Sequence, residues 1–228
     1  MNQTLQRSEK LHFIIGIGAT IFILTLPIVL KWMGLLILHS SYTSMFVYSD
    51  ILYSWGLLGL LALYVAKVEK HPFLLWDEQI YPWTFYLKSV LKIMFLSFIV
   101  ALTIGLSLKL MGFNNKSDIA DKLVAILHKD RLLVLFVSLT AGITEELICR
   151  GYLFSRLEML INKPAVSIVV SAIFFGILHI SYGTIAQVLL PFWLGLIYAA
   201  YYYKYRNLRV IIICHFLWDF VGLYIRTR

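Results

Sequence analysis

Three short groups place ionisable side chains inside otherwise apolar sequence: Glu145-Glu146-x-x-x-Arg150, Phe175-x-x-x-His179 and His215-x-x-x-Asp219. Carboxylates and imidazoles take up and return protons near neutrality, so together they can make a water molecule nucleophilic and stabilise the charge that follows. Holding them in a bilayer is costly, at about 2.5–3.5 kcal/mol per residue on lenient insertion scales. Taken singly, a Glu–Arg pair can be glue between helices and a lone His a packed core residue. Six such groups on three apolar segments point instead to one hydrolytic site within a membrane.

The elements that must position them are helical. The chain has 228 residues, 61% hydrophobic and 14% charged, with a mean hydropathy of +0.83. A soluble domain is about 45–50% apolar and about 25% charged. The excess lies in runs long enough to cross a hydrocarbon core about 30 Å thick. The expectation is an all-α, polytopic membrane protein of about seven helices, six to eight being compatible. They cover about 11–37, 51–68, 86–110, 131–161, 164–181, 184–203 and 210–226. Pro27 should kink the first, with Lys31 reaching an interface. Residues 1–228 read as one integral membrane domain. Residues 1–130 carry no recognised motif, and 131–226 form the motif-bearing core.

Between the apolar runs, residues 71–83 read as an interfacial loop anchored by Trp76 and Trp83. Asn114-Asn115 makes a turn, and Ser117 with Asp121 opens a short amphipathic helix bearing Ile119, Leu123, Ile126 and Leu127. Asp50 reads as interfacial. Tyr201–Tyr203, Trp193 and Trp218 read as belt and core aromatics. Cys149 and Cys214 sit in apolar sequence as small buried residues, not as a disulfide framework. No cleavable signal peptide is evident, the first apolar run being too long for one. The formal charge of +8 comes mostly from Lys and Arg at the ends of apolar runs. That pattern flanks a membrane and does not form a nucleic-acid stripe, so nucleic acid is excluded as a partner. Counted by alternate loops, these charges favour a cytoplasmic N-terminus, with 70–92, 150–163 and 204–209 on the same side.

An antiparallel hairpin turning at Asn162 brings Glu145 and His179 to one depth, each about 25 Å from the turn at about 1.5 Å per residue. Glu146 and Arg150 are spaced as a helical ion pair, which leaves Glu145, about 100° around the helix, free to face a cavity. His215 and Asp219 share a face, where the carboxylate can hold the imidazole. His215 lies only about 9 Å in from the 204–209 loop. The depths agree only if the 150–163 hairpin projects beyond the membrane, a reading favoured by Arg156, Glu158, Asn162 and Lys163.

Glu145-Glu146-Leu-Ile-Cys-Arg150-Gly151, Phe175-Gly-Ile-Leu-His179 and His215-Phe-Leu-Trp-Asp219 resemble the three signature motifs of the CPBP intramembrane proteases. That family comprises the type II CAAX prenyl endopeptidases and the bacterial Abi, or bacteriocin-immunity, proteins. The resemblance implies an endopeptidase acting on a membrane-associated peptide or protein, lipidated or not, in the cell membrane if the chain is bacterial. It implies Glu145 as general base assisted by His179, Glu146 and Arg150 as support, and His215 and Asp219 as oxyanion stabilisers. Family members often carry Asn where Asp219 stands. An ionised Asp219 cannot donate a hydrogen bond, and either protonation or an indirect action through a charged His215 would resolve this. The cofactor is left open. Two histidines with one or two glutamates would suit zinc, and a metal-free glutamate mechanism serves equally. Competing readings are a non-catalytic peptide-binding immunity or scaffold protein and a small transporter, although no inverted repeat or pair of broken helices supports the latter.

Overall fold

The computed structural model describes residues 6–33 and 43–228. Residues 34–37 of the expected first helix, and the Lys31 side chain, fall outside the described residues. The described residues form helices joined by loops and turns, with no strand among them. The helices are α1 (Arg7–Trp32), α2 (Ser44–Tyr64) with a π-helical end at Val65–Glu69, α3 (Trp83–Leu110), α4 (Asp118–Lys129) and α5 (Arg131–Glu146). A π-helical stretch, Leu147–Phe154, leads into α6 (Ser155–Ile161). Then come α7 (Pro164–Leu178), a 3-10 turn at Ile180–Tyr182, α8 (Ala186–Tyr205) and α9 (Leu208–Arg226). Among the described residues six helical stretches are long and apolar enough to cross a membrane. The seventh expected segment is α8, which carries Gln187 and several tyrosines and is not among those six.

The helices alternate in direction between two ends. At one end the 70–82 loop meets the α8–α9 turn: Gln79 N–H donates to Arg206 O (2.9 Å), Asn207 Nδ2 to Gln79 O (2.8 Å) and Tyr81 hydroxyl to Tyr205 O (3.0 Å). At the other end lies the amphipathic α4. Ser117 caps it by accepting from Ala120 N–H (3.2 Å), and the Asn114 side chain accepts from Lys116 N–H (3.0 Å) in the expected turn. Leu127 and Ile126 bury their side chains against Val47, Leu133 and Val134, satisfying the apolar stripe. Ser117 also donates to Tyr182 O (2.7 Å), and Arg226 pairs with Asp121 (2.7 Å), so α4 closes this end against α9 and the 3-10 turn.

Small residues set the closest helix approaches, as apolar side chains gain little by leaving lipid. A Cβ on Gly142 would stand 3.0 Å from Phe216 N and 3.1 Å from Ile212 O, so α5 and α9 meet backbone to backbone. A Cβ on Gly176 would stand 3.0 Å from Val188 O, and one on Gly195 would stand 3.1 Å from Ala172 Cα, which locks α7 against α8 antiparallel.

The 131–161 segment is a single helical stretch, as expected, but its pitch changes along it. It is not one uniform α-helix, because hydrogen bonds widen to i→i+5 through Leu147–Phe154. Counting depth at a single rise therefore fails there. A Cβ on Gly151 would touch Leu208, so α9 begins beside Gly151 and the hairpin runs on past it. That reconciles the two depths. The hairpin tip is exposed at Asn162 and Lys163, but Arg156, expected to project with it, is fully buried. Its Nη2 and Nε donate to Glu69 Oε2 (2.8 and 3.1 Å), its Nη1 donates to Phe73 O (2.7 Å), and Tyr152 hydroxyl donates to Glu69 Oε1 (2.6 Å). A hidden ion pair thus staples α2 to the hairpin. Trp76 is likewise part of the packing, against Phe154 and Tyr202 with Arg206 over its ring, while Trp83 is exposed.

Removing one partner of a buried pair strands the other charge, at about 3–5 kcal/mol. Glu69→Ala should therefore lower the thermal unfolding midpoint in detergent by many degrees. An unchanged midpoint would show that the pair does not hold the hairpin.

Candidate active site

Glu145 and Glu146 end the regular part of α5, where the backbone changes to π-helical. Consecutive helical residues point about 100° apart, and the two carboxylates separate accordingly. Glu146 is fully buried, whereas the Glu145 side chain is 36% exposed and faces a cavity of about 960 Å³. The cavity lies between α2, α5, α7, α8 and α9, with α4 across one end.

Glu146 Oε1 accepts two charge-assisted hydrogen bonds. One comes from Arg150 Nη1 (2.8 Å) on its own segment, the other from His215 Nδ1 (2.8 Å) on α9. The Arg150 guanidinium lies over the Phe175 ring, 4.1 Å from its centroid. Phe175 in turn meets both imidazoles edge-on, His179 at 5.2 Å and His215 at 5.9 Å between centroids. One aromatic ring therefore spaces the two histidines.

Because Glu146 can only accept, His215 Nδ1 carries a proton, and Nε2 is the ring's free edge. Nε2 stands 3.4 Å from Asp219 Oδ2 and 4.0 Å from Glu145 Oε2. Asp219 flanks Nε2, on the face the sequence predicts, and Glu146, from another helix, holds Nδ1, a second partner that local spacing did not reveal. His179, just past the end of α7, places Nδ1 2.9 Å from Phe175 O. A carbonyl can only accept, so Nδ1–H donates and neutral His179 keeps its lone pair on Nε2.

Glu145, His179, His215 and Asp219 all line the cavity; Glu146 and Arg150 stand behind it. Among the other lining residues, Asp50 and Tyr198 were not anticipated as part of a site. Asp50, read as interfacial, lines the cavity from α2, one turn before Ser54. That i, i+4 polar pair on an apolar helix was the available signal. Tyr198 lines it from α8, hidden in a tyrosine-rich stretch that offered none. Cys149 and Cys214 are buried free thiols outside it.

Among the described residues no three His, Cys, Asp or Glu side chains are grouped to hold a metal ion. Each histidine is held through Nδ1, which leaves Nε2 directed at the cavity.

Residues 128–221 match the family described as Type II CAAX prenyl endopeptidase Rce1-like, over the stretch that carries all three motifs. No curated protein and no solved structure matches the chain. The resemblance read from the motifs is shown over that core. The protein is a polytopic all-α membrane protein, and its residues 128–221 are similar to that family.

The two glutamates should fail differently. Glu146→Ala leaves Arg150 buried without its carboxylate and should cost about 3–5 kcal/mol, read as a lowered unfolding midpoint. Glu145→Ala, at the cavity surface, should leave that midpoint near the parent value. Equal stability losses would contradict this division.

Proposed function

We propose that the chain is an intramembrane endopeptidase that cuts a membrane-associated peptide or protein with water activated by Glu145. The observation that carries the reading is the cavity-facing carboxylate of Glu145 beside His215 Nε2, in a cavity that also takes in His179.

Glu145 takes one proton from a water held by the His179 Nε2 lone pair. The water oxygen bonds to the carbonyl carbon, and the carbonyl π pair moves onto its oxygen. His215, charged and with carboxylates of Glu146, Asp219 and Glu145 around it, donates from Nε2 to that oxyanion. Collapse re-forms the carbonyl and breaks the C–N bond, and the proton held by Glu145 passes to the departing nitrogen. Asp219 acts through His215, because an ionised carboxylate cannot donate. No step requires a metal. Glu146 and Arg150 position the ring.

A prenylated CAAX segment is the substrate class that fits the family match; its lipid would lie in the bilayer while its peptide enters the cavity. The test uses the full chain in lipid nanodiscs and a fluorogenic peptide with a prenylated cysteine before its last three residues. The parent should cleave it. Glu145→Gln should lose about 10²–10⁴-fold in kcat, the usual worth of a general base, with an unchanged unfolding midpoint. Chelator should leave the rate unchanged; loss in chelator and recovery with zinc would replace the glutamate mechanism by a metal one. A parent that binds the peptide without cutting it would be a peptide-binding relative.

A further inference from the structure

The mechanism above gives the oxyanion a single donor, His215 Nε2. Asp219, on the same face, is an acceptor when ionised. Sites that stabilise oxyanions use several donors, each worth about 10²–10³ in kcat.

Tyr198 is the group in place to supply another. It is 1% exposed, lines the same cavity, and sets its ring 6.1 Å from that of His215. Its hydroxyl makes no hydrogen bond to any described residue. The Arg150 guanidinium lies 5.6 Å from its ring centre, a second contact that holds the ring. A buried hydroxyl without a partner is destabilising, and the unused donor is explained if the partner arrives with the substrate. Tyr202, one turn along α8, is equally buried and equally unpartnered, but it does not line the cavity. It supplies an internal control.

We infer that Tyr198 is a catalytic residue whose phenol donates a hydrogen bond to the oxyanion alongside His215. As the water oxygen bonds to carbon and the π pair moves to the carbonyl oxygen, that oxygen gains negative charge and draws the phenolic O–H towards it. The phenol keeps its proton throughout, so no additional group must be regenerated. The donor missing from Asp219 is thereby provided from a different helix.

The inference rests on the proposed peptidase reading, and the experiment separates the two. With the full chain in nanodiscs and the prenylated peptide above, Tyr198→Phe should lower kcat by about 10²-fold or more and leave KM and the unfolding midpoint unchanged. Tyr202→Phe should leave kcat at the parent value. Replacement of Tyr198 by 3-fluorotyrosine, a stronger donor of nearly the same shape, should alter kcat with no change in midpoint, and it covers the case in which the phenylalanine variant fails to fold. Parent-like kcat in the folded phenylalanine variant, or in the fluorinated one, overturns the role of Tyr198 alone. Equal losses for Tyr198→Phe and Tyr202→Phe assign both hydroxyls to packing and also overturn it. A parent chain that does not cleave the peptide removes the peptidase reading and this inference with it.

Discussion

The carboxylate of Glu146 is the interaction on which the rest of the centre depends. It is wholly buried and joins Arg150 of its own segment to His215 of α9 through a single oxygen. Away from water such a group is tolerable only when its charge is matched. Arg150 matches the charge, and His215 shares it. The consequence is directional: with Nδ1 committed to Glu146, the imidazole can present only Nε2 to the cavity. A buried ion pair thereby becomes a means of aiming a ring.

That arrangement demands that α5 and α9 approach closely at the right depth. Gly142, facing the backbone of Ile212 and Phe216, permits the approach, and the beginning of α9 beside Gly151 sets the depth. The π-helical turns after Glu146 change the register within the segment that carries Arg150 and Gly151. Such turns inside α-helices frequently mark functional positions. The Glu69–Arg156 pair holds the far end of the same segment, so a short irregular stretch is anchored on both sides by buried charge.

The cavity answers a different physical requirement. Peptide hydrolysis needs water, which the hydrocarbon layer excludes, so the polar wall must be enclosed by protein on its lipid side and open towards one end. Polar side chains from α2, α5, α7 and α9 form the wall, while the amphipathic α4 lies across the end with its apolar stripe against the core. Outward-facing positions remain apolar, as lipid exposure requires; Leu91, Phe95, Phe98 and Leu102 of α3 are examples. Both faces of the chemistry are therefore set by one solvent rule applied twice.

The sequence by itself determined the helical membrane fold, because runs of apolar residues of that length have few other stable states and every backbone group must find its partner locally. It also determined which residues are chemically exceptional, since an ionisable group in such a run carries a cost that singles it out. The cap of α4, the Asn114 turn and the Glu146–Arg150 spacing were legible for the same reason: each depends on residues within four positions of one another. The tertiary structure decided what local spacing does not encode. It gave His215 a second carboxylate, Glu146, besides Asp219, buried Arg156 against Glu69, and brought Asp50 and Tyr198 to the cavity wall. Those outcomes depend on groups tens of residues apart, and on a change of helical pitch that no count at a fixed rise can anticipate.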